Sequence, residues 1–138
     1  MDMKLELVAV PVTDVDRAKT FYVDRMGFNL DMDHSAGDTF RFVQFTSPGS
    51  ACSIAVGIGI TDAEPGSLRG LYLVVSDIVA TRDELVGRGA DIGAVRHMGE
   101  GGWVDGPHPE RQDYNSFAEF SDPDGNKWVI QERGHRSS

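Results

Sequence analysis

The chain repeats itself, and that repeat constrains the fold more than any other feature. Val8, Val10, Val12, Thr13, Asp14 and Val15 match Leu71, Leu73, Val75, Ser76, Asp77 and Ile78, each 63 residues further on. Phe42, Phe45, Thr46, Ser47 and Pro48 match Phe117, Phe120, Ser121, Asp122 and Pro123, each 75 residues further on. The second copy is therefore 12 residues longer between its helix and its penultimate strand, and the surplus falls within 99–115, a Gly-rich stretch holding Trp103. At 138 residues the two copies fit a single domain.

Each copy reads as strand, helix, then three strands. Leu5 to Val12 is nearly unbroken apolar sequence with three valines, which predicts a buried strand. Thr13 is the expected helix cap, Val15, Ala18, Tyr22 and Met26 mark one apolar helix face, and Gly27 ends it. Phe28–Asp33, Thr39–Phe45 and Cys52–Val56 follow as strands, with a turn at Ser47-Pro48-Gly49-Ser50. In the second copy a strand spans Leu71–Val75, and Ser76-Asp77 caps a helix that ends at Gly87-Arg88-Gly89. Asp91–Val95, Phe117–Phe120 and Lys127–Glu132 are its remaining strands. The domain thus divides into a first βαβββ module over 4–58, a linker over 59–68, a second module over 69–132 with an inserted loop over 99–115, and a polar, fraying tail over 133–138.

Thirteen basic against 22 acidic side chains give a net charge of −9, which argues against a nucleic-acid partner and favours neutral or cationic ligands. The lone Cys52 forms no internal disulfide, the start of the chain lacks a signal-peptide pattern, and no apolar run is long enough to cross a bilayer. These features predict a cytoplasmic protein with no membrane partner.

The order of elements resembles the glyoxalase/bleomycin-resistance/dioxygenase superfamily, the vicinal oxygen chelate proteins. The residues that carry the resemblance are Val12-Thr13-Asp14-Val15-Asp16-Arg17-Ala18 with Phe21-Tyr22 and Met26-Gly27-Phe28, and the turn Phe120-Ser121-Asp122-Pro123-Asp124-Gly125-Asn126. It covers about residues 4–132. It implies an α+β fold in which two tandem βαβββ modules form curved mixed sheets around a cavity. It also implies a homodimer.

Metal-dependent members place His, Glu or Gln on four cavity strands, where a divalent ion holds two oxygens of the substrate. The resemblance puts those positions on Leu7, on Ser53 or Ile54, on Gly70 and on Val129. Leucine, glycine and valine side chains offer no lone pair, so no cofactor is expected. A register shifted by one would bring in Glu6 and Glu132. A different divalent site, for Zn or Fe, is conceivable at His97, His108 and Glu119; the plain alternative is that these are surface-loop histidines.

Other residues suggest a ligand site. Tyr72 lies two past Gly70, so strand alternation gives it the same face, as a hydrogen-bond donor, a general acid or a core tyrosine. Gln44 faces opposite to Val43 and Phe45, and so into the cavity. Phe42 is a wall candidate. Trp103 is the expected lid, on a flexible loop. Trp128 points away from the cavity into the core. Gly57-Ile58-Gly59 lacks the third glycine of a dinucleotide fingerprint, and Cys52 has no basic neighbour to activate it. Three functions follow. The first is metal-free binding of a small molecule, as in the bleomycin-resistance branch. The second is a metal-dependent lyase, isomerase or ring-cleaving dioxygenase with an unusual ligand set, and the third a metal-free acid/base enzyme using Tyr72.

Overall fold

The computed structural model describes residues 1–136. They form two compact units: Met1–Leu68 together with Asp122–Asn126, and the rest of the described chain.

The first unit runs β1 (Leu7–Ala9), α1 (Val15–Thr20), a π-helical turn (Phe21–Arg25), β2 (Asn29–Ala36), β3 (Phe40–Thr46) and β4 (Ser53–Ile58). Its sheet has the order β1-β4-β3-β2, with β1 parallel to β4 and the other pairs antiparallel. The first strand is shorter than its apolar run predicts. Val10 still donates to Ala55 O, but Pro11 has no amide to continue the ladder. Asp14, not Thr13, caps α1 by accepting from the Arg17 amide. In the π turn Met26 N bonds Phe21 O, five residues back. Tyr22 is fully buried there, its ring stacked on Phe28 and 5.6 Å from Phe45, with Val10, Val43 and Val56 completing the core.

The second unit runs β5 (Leu71–Val75), α2 (Ile78–Gly87), β6 (Arg96–Gly99), β7 (Gly102–Asp105), β8 (Phe117–Ser121) and β9 (Lys127–Glu132), in the sheet order β5-β9-β8-β6-β7. Two strand expectations need correction. Residues 91–95 are not a strand, because the Arg82 guanidinium takes the carbonyls of Ile92 and Gly93. The inserted stretch is not a plain loop: β7 pairs antiparallel with β6, Met98 opposite Trp103, so the second module carries one strand more than the first. Trp128 is core, stacked on Phe120 at 5.8 Å beside Ile78 and Ile130.

The turn Asp122–Asn126 belongs to the first unit through hydrogen bonds. Asp122 Oδ1 accepts from the amides of Asp124 and Asn126, and its Oδ2 accepts from Tyr22 OH and Asn126 Nδ2, each at 2.8 Å. Asn126 Nδ2 also donates to Pro11 O, and its Oδ1 accepts from Leu68 N. Thr13 is used here too, donating its amide and its hydroxyl to Asp124 Oδ1. The linker over 59–68 is held at the same place, since Gly66 N donates to Pro11 O. Gly66 has φ +79°, and a Cβ there would lie 2.1 Å from Asp124 O, so only glycine fits. Of the tail, Arg133 N bonds Val75 O and Gly134 N bonds Asp113 Oδ1, while the fraying expected at residues 137 and 138 lies outside the described residues.

Asn126 is fully buried and satisfies three groups at once. Asn126→Ala should therefore cost about 2–4 kcal/mol in denaturant unfolding, because the Leu68 amide and the Pro11 carbonyl each lose a partner inside the fold. A loss below about 0.5 kcal/mol would contradict this account.

Candidate functional site

Each sheet has one face under its helix and one face away from it, and the candidate residues sort by strand alternation. In the first sheet Val43, Phe45, Ile54 and Val56 are buried, with the Tyr22 ring of the helical segment against Phe45. Facing the other way are Leu7, opposite Ser53; Gln44, between Ala55 and Met32; and Phe42, between Gly57 and His34. A bulge between Leu30 and Met32 frees Asp31 from the regular alternation. Its carboxylate accepts from Gln44 Nε2 at 3.2 Å and from Thr46 Oγ1, and Thr46 in turn meets Ser53 Oγ at 2.6 Å. Gln44 and Ser53, singled out from sequence, are thus joined by Asp31 and Thr46. Thr46 follows from alternation, two residues past Gln44 and opposite Ser53, whereas Asp31 is hidden from it by the bulge.

In the second sheet one row runs Tyr72–Val129–Glu119 across β5, β9 and β8. Tyr72 is 55% exposed. Gly70 lies just ahead of β5 at φ +83°. Next to that row Phe117 stands opposite Arg96, and Arg96 stands opposite Asp105. Trp103, half-exposed, meets the Phe117 ring edge to face at 5.5 Å. It is held on an edge strand rather than on the flexible loop that its glycine neighbours suggest. Arg96 lies just beyond the strand that the sequence predicts over 91–95, because β6 begins five residues later, at Arg96 itself.

The two copies can be matched strand by strand. Thr46 pairs with Ser53, and its counterpart Ser121 pairs with Lys127. The turn of the first copy is one residue longer, so Val129 corresponds to Ala55 and to neither Ser53 nor Ile54. By the same register Gln44 corresponds to Glu119, and Ala9 to Tyr72.

The sequence profile of the Glyoxalase/Bleomycin resistance protein/Dioxygenase superfamily matches residues 4–130. The chain belongs to that superfamily. TnmS3, described as an antibiotic binding protein from Streptomyces sp. CB03234, is 32% identical to it, with 95% of this chain and 96% of the other covered and a TM-score of 0.72. A glyoxalase/bleomycin resistance protein from the same Streptomyces strain is 33% identical over 93% of this chain and 99% of its own, with a TM-score of 0.69. The uncharacterised protein YetH of Bacillus subtilis (strain 168) is 23% identical over 96% of this chain and all of its own length. No described helix is long and apolar enough to cross a membrane.

At the positions that the resemblance assigns to the metal, with the register of the paired strands applied, this chain has Leu7, Ala55, Gly70 and Val129, whose side chains carry no donor atom for a divalent ion. Glu6 contributes its carbonyl to Ser53 N and is otherwise exposed. The set His97, His108 and Glu119 is not gathered. His97 is buried with Nδ1 on Gly106 O, and His108 lies beside it, its Nδ1 accepting from the amides of Glu110 and Gln112. Glu119 is drawn instead to Arg96, the strand neighbour of His97 whose side chain takes the opposite face.

Asp77, Glu132 and His135 do place one ligand atom each within 4.8 Å of one another. Arg111 already serves as the counter-ion. Its Nε and Nη2 grip both oxygens of the fully buried Glu132 at 2.8 and 2.6 Å, and Nη2 reaches Asp77 Oδ1 at 3.3 Å. This bidentate pair holds Arg111 in a left-handed conformation, φ +51°. The two carboxylates also cap α2, Glu132 accepting from Ile78 N and Asp77 from Ala80 N. Burial pushes the Glu132 carboxyl up, but the Arg111 hydrogen bonds, the Ile78 amide and the Arg111 charge together hold it below its ordinary value. Asp77 is lowered chiefly by the Ala80 amide.

Because the folded pKa of Glu132 lies below its unfolded value near 4.5, its stabilisation is complete above that pH and is lost as pH falls through the folded value. Unfolding free energy should therefore decline on acidification below 4.5. Arg111→Met should cost about 3–5 kcal/mol at neutral pH by leaving a buried charge without its partner, and should flatten or reverse the acid decline. Parallel pH curves for the two proteins would contradict the assignment.

Proposed function

We propose that this protein binds a small organic molecule on the faces of its sheets turned away from the helices, without a divalent ion at the superfamily's metal positions, and so acts by sequestering its ligand. The observation that carries this reading is the side-chain chemistry of those faces. Positions where metal-dependent members hold donor atoms are Leu7, Ala55, Gly70 and Val129, while the strands around them present Phe42, Tyr72, Trp103 and Phe117. On each sheet taken by itself, aromatic side chains beside a small set of polar groups suit an organic ligand better than a metal-bound oxygen pair. Gln44 and Ser53 on the first sheet and Tyr72 on the second supply hydrogen-bonding groups, beside the charged Asp31 of the first and Arg96, Asp105 and Glu119 of the second. The 32% identity to an antibiotic binding protein supports the same reading.

The same faces leave Leu7, Met32, Tyr72, Val74 and Trp103 exposed in a single chain. Apolar surface of this kind is a feature of sites that are covered, and we read the protein as a cytoplasmic homodimer.

Titration of aromatic antibiotics by calorimetry tests the site. For a compound that binds, Trp103→Ala should weaken affinity more than tenfold, about 1.4 kcal/mol, with no change in unfolding free energy beyond about 0.5 kcal/mol. Unchanged affinity would remove Trp103 from the site. Light scattering should give twice the 15.1 kDa chain mass, and a mass of one chain across the working concentration range would refute the dimer.

A further inference from the structure

On the second sheet, one group lies where a ligand would be expected, and it belongs to the chain itself. The Arg96 guanidinium stands over the Trp103 ring, 4.2 Å from the ring centre. Its Nη2 reaches Glu119 Oε1 at 3.2 Å. Phe117 closes one side by its edge contact with Trp103, and Asp105 faces Arg96 across the β6–β7 ladder. Arg96, Asp105 and Glu119 also line a groove of about 250 Å³ with Gly93 and Ala94. The arrangement is a planar cation on an indole face, with a carboxylate bonding its edge and a second carboxylate nearby. Such a site recognises amidinium and guanidinium groups through their flat shape, edge N–H groups and charge.

Arg96 is the sole cation among these residues, set against two acids. Taking its guanidinium out of the way leaves Trp103, Phe117, Glu119 and Asp105 as an aromatic and anionic recess. The chain's net charge of −9 would add long-range attraction for a cation. The existing contacts are weak enough to exchange, because Arg96 and Glu119 side chains remain 38% and 56% exposed and a solvated pair of this kind contributes little.

We propose that Arg96 is a displaceable internal occupant of a planar-cation site, and that the ligand class this site takes is an aryl amidinium or guanidinium. This rests on the reading of the second sheet's exposed face as a ligand surface. It adds that the surface selects a flat cation and that Arg96 competes for the place. Arg96 thereby sets specificity: a ligand must offer a better planar cation than the chain's own, and a neutral aromatic gains no partner for Glu119.

The probes are benzamidine and its neutral analogue benzamide, titrated by calorimetry and by chemical-shift changes of the Trp103 indole N–H. Arg96→Ala should bind benzamidine at least tenfold more tightly than the unaltered protein, and should leave benzamide unimproved. Arg96→Gln, which keeps most of the side-chain volume, should show the same order and guards against a folding defect in the alanine variant. Adding Glu119→Gln to Arg96→Ala should abolish the gain. The proposal is overturned if neither Arg96 variant binds benzamidine more tightly, or if benzamide gains equally. In either case an antibiotic that loses affinity with Trp103→Ala would still uphold the binding reading. Failure of every aromatic antibiotic to bind, with benzamidine still gained at Arg96→Ala, would sink the broader reading and leave the cation site standing.

Discussion

The side chain of Asp122 is buried, and four donors meet it: two backbone amides of its own turn, the Tyr22 hydroxyl and the Asn126 amide. A carboxylate removed from water is costly unless each oxygen is hydrogen-bonded, so this turn has one satisfactory geometry. The dependence spreads from there. Tyr22 is fixed between Phe28 and Phe45, which sets the π-helical turn against the first sheet. Asn126 fixes the carbonyl of Pro11 where β1 has ended, and the amide of Leu68 shortly before β5 begins. Glu132 does the corresponding work in the second unit, where one carboxylate caps α2 and holds Arg111.

Much of this was legible in the sequence, and the reason is periodicity. The 63- and 75-residue offsets mark strands, helices and a turn by residue type, and the structure places both helices and the matching strands where the offsets put them. The failures share a different cause. β7 hides in Gly-Gly-Trp-Val because edge strands need few buried side chains, and residues 91–95 read as a strand because Ile92 is buried for other reasons. The Asp-Pro-Asp-Gly-Asn turn was recognisable as a turn. Its burial was not, since partners 100 and 115 residues away leave no local pattern.

The candidate surface was legible to a similar depth. Alternation alone turns Gln44 away from Val43 and Phe45 and gives Tyr72 the face of Gly70, and the structure adds that Tyr72 pairs with Val129. The register of the last strand pair was not, because the two turns differ by one residue, and the counterpart of Val129 is Ala55. Arg96 and Asp31 became visible only through a displaced strand and a bulge. Membership of the superfamily fixes the architecture but leaves the chemistry to the side chains, and the proposed metal-free reading rests on the residues that the resemblance assigns to the metal, Leu7, Ala55, Gly70 and Val129. The proposed ligand surface of the second sheet is aromatic and partly acidic, with Trp103, Phe117, Asp105 and Glu119 on one face.

The most direct test of that account is metal content by mass spectrometry on untagged protein dialysed separately against Mn, Fe, Ni and Zn, paired with ligand titration in EDTA. The account predicts sub-stoichiometric metal in every case and an affinity that EDTA leaves unchanged. One tightly retained ion per chain, with binding lost in EDTA, would contradict it.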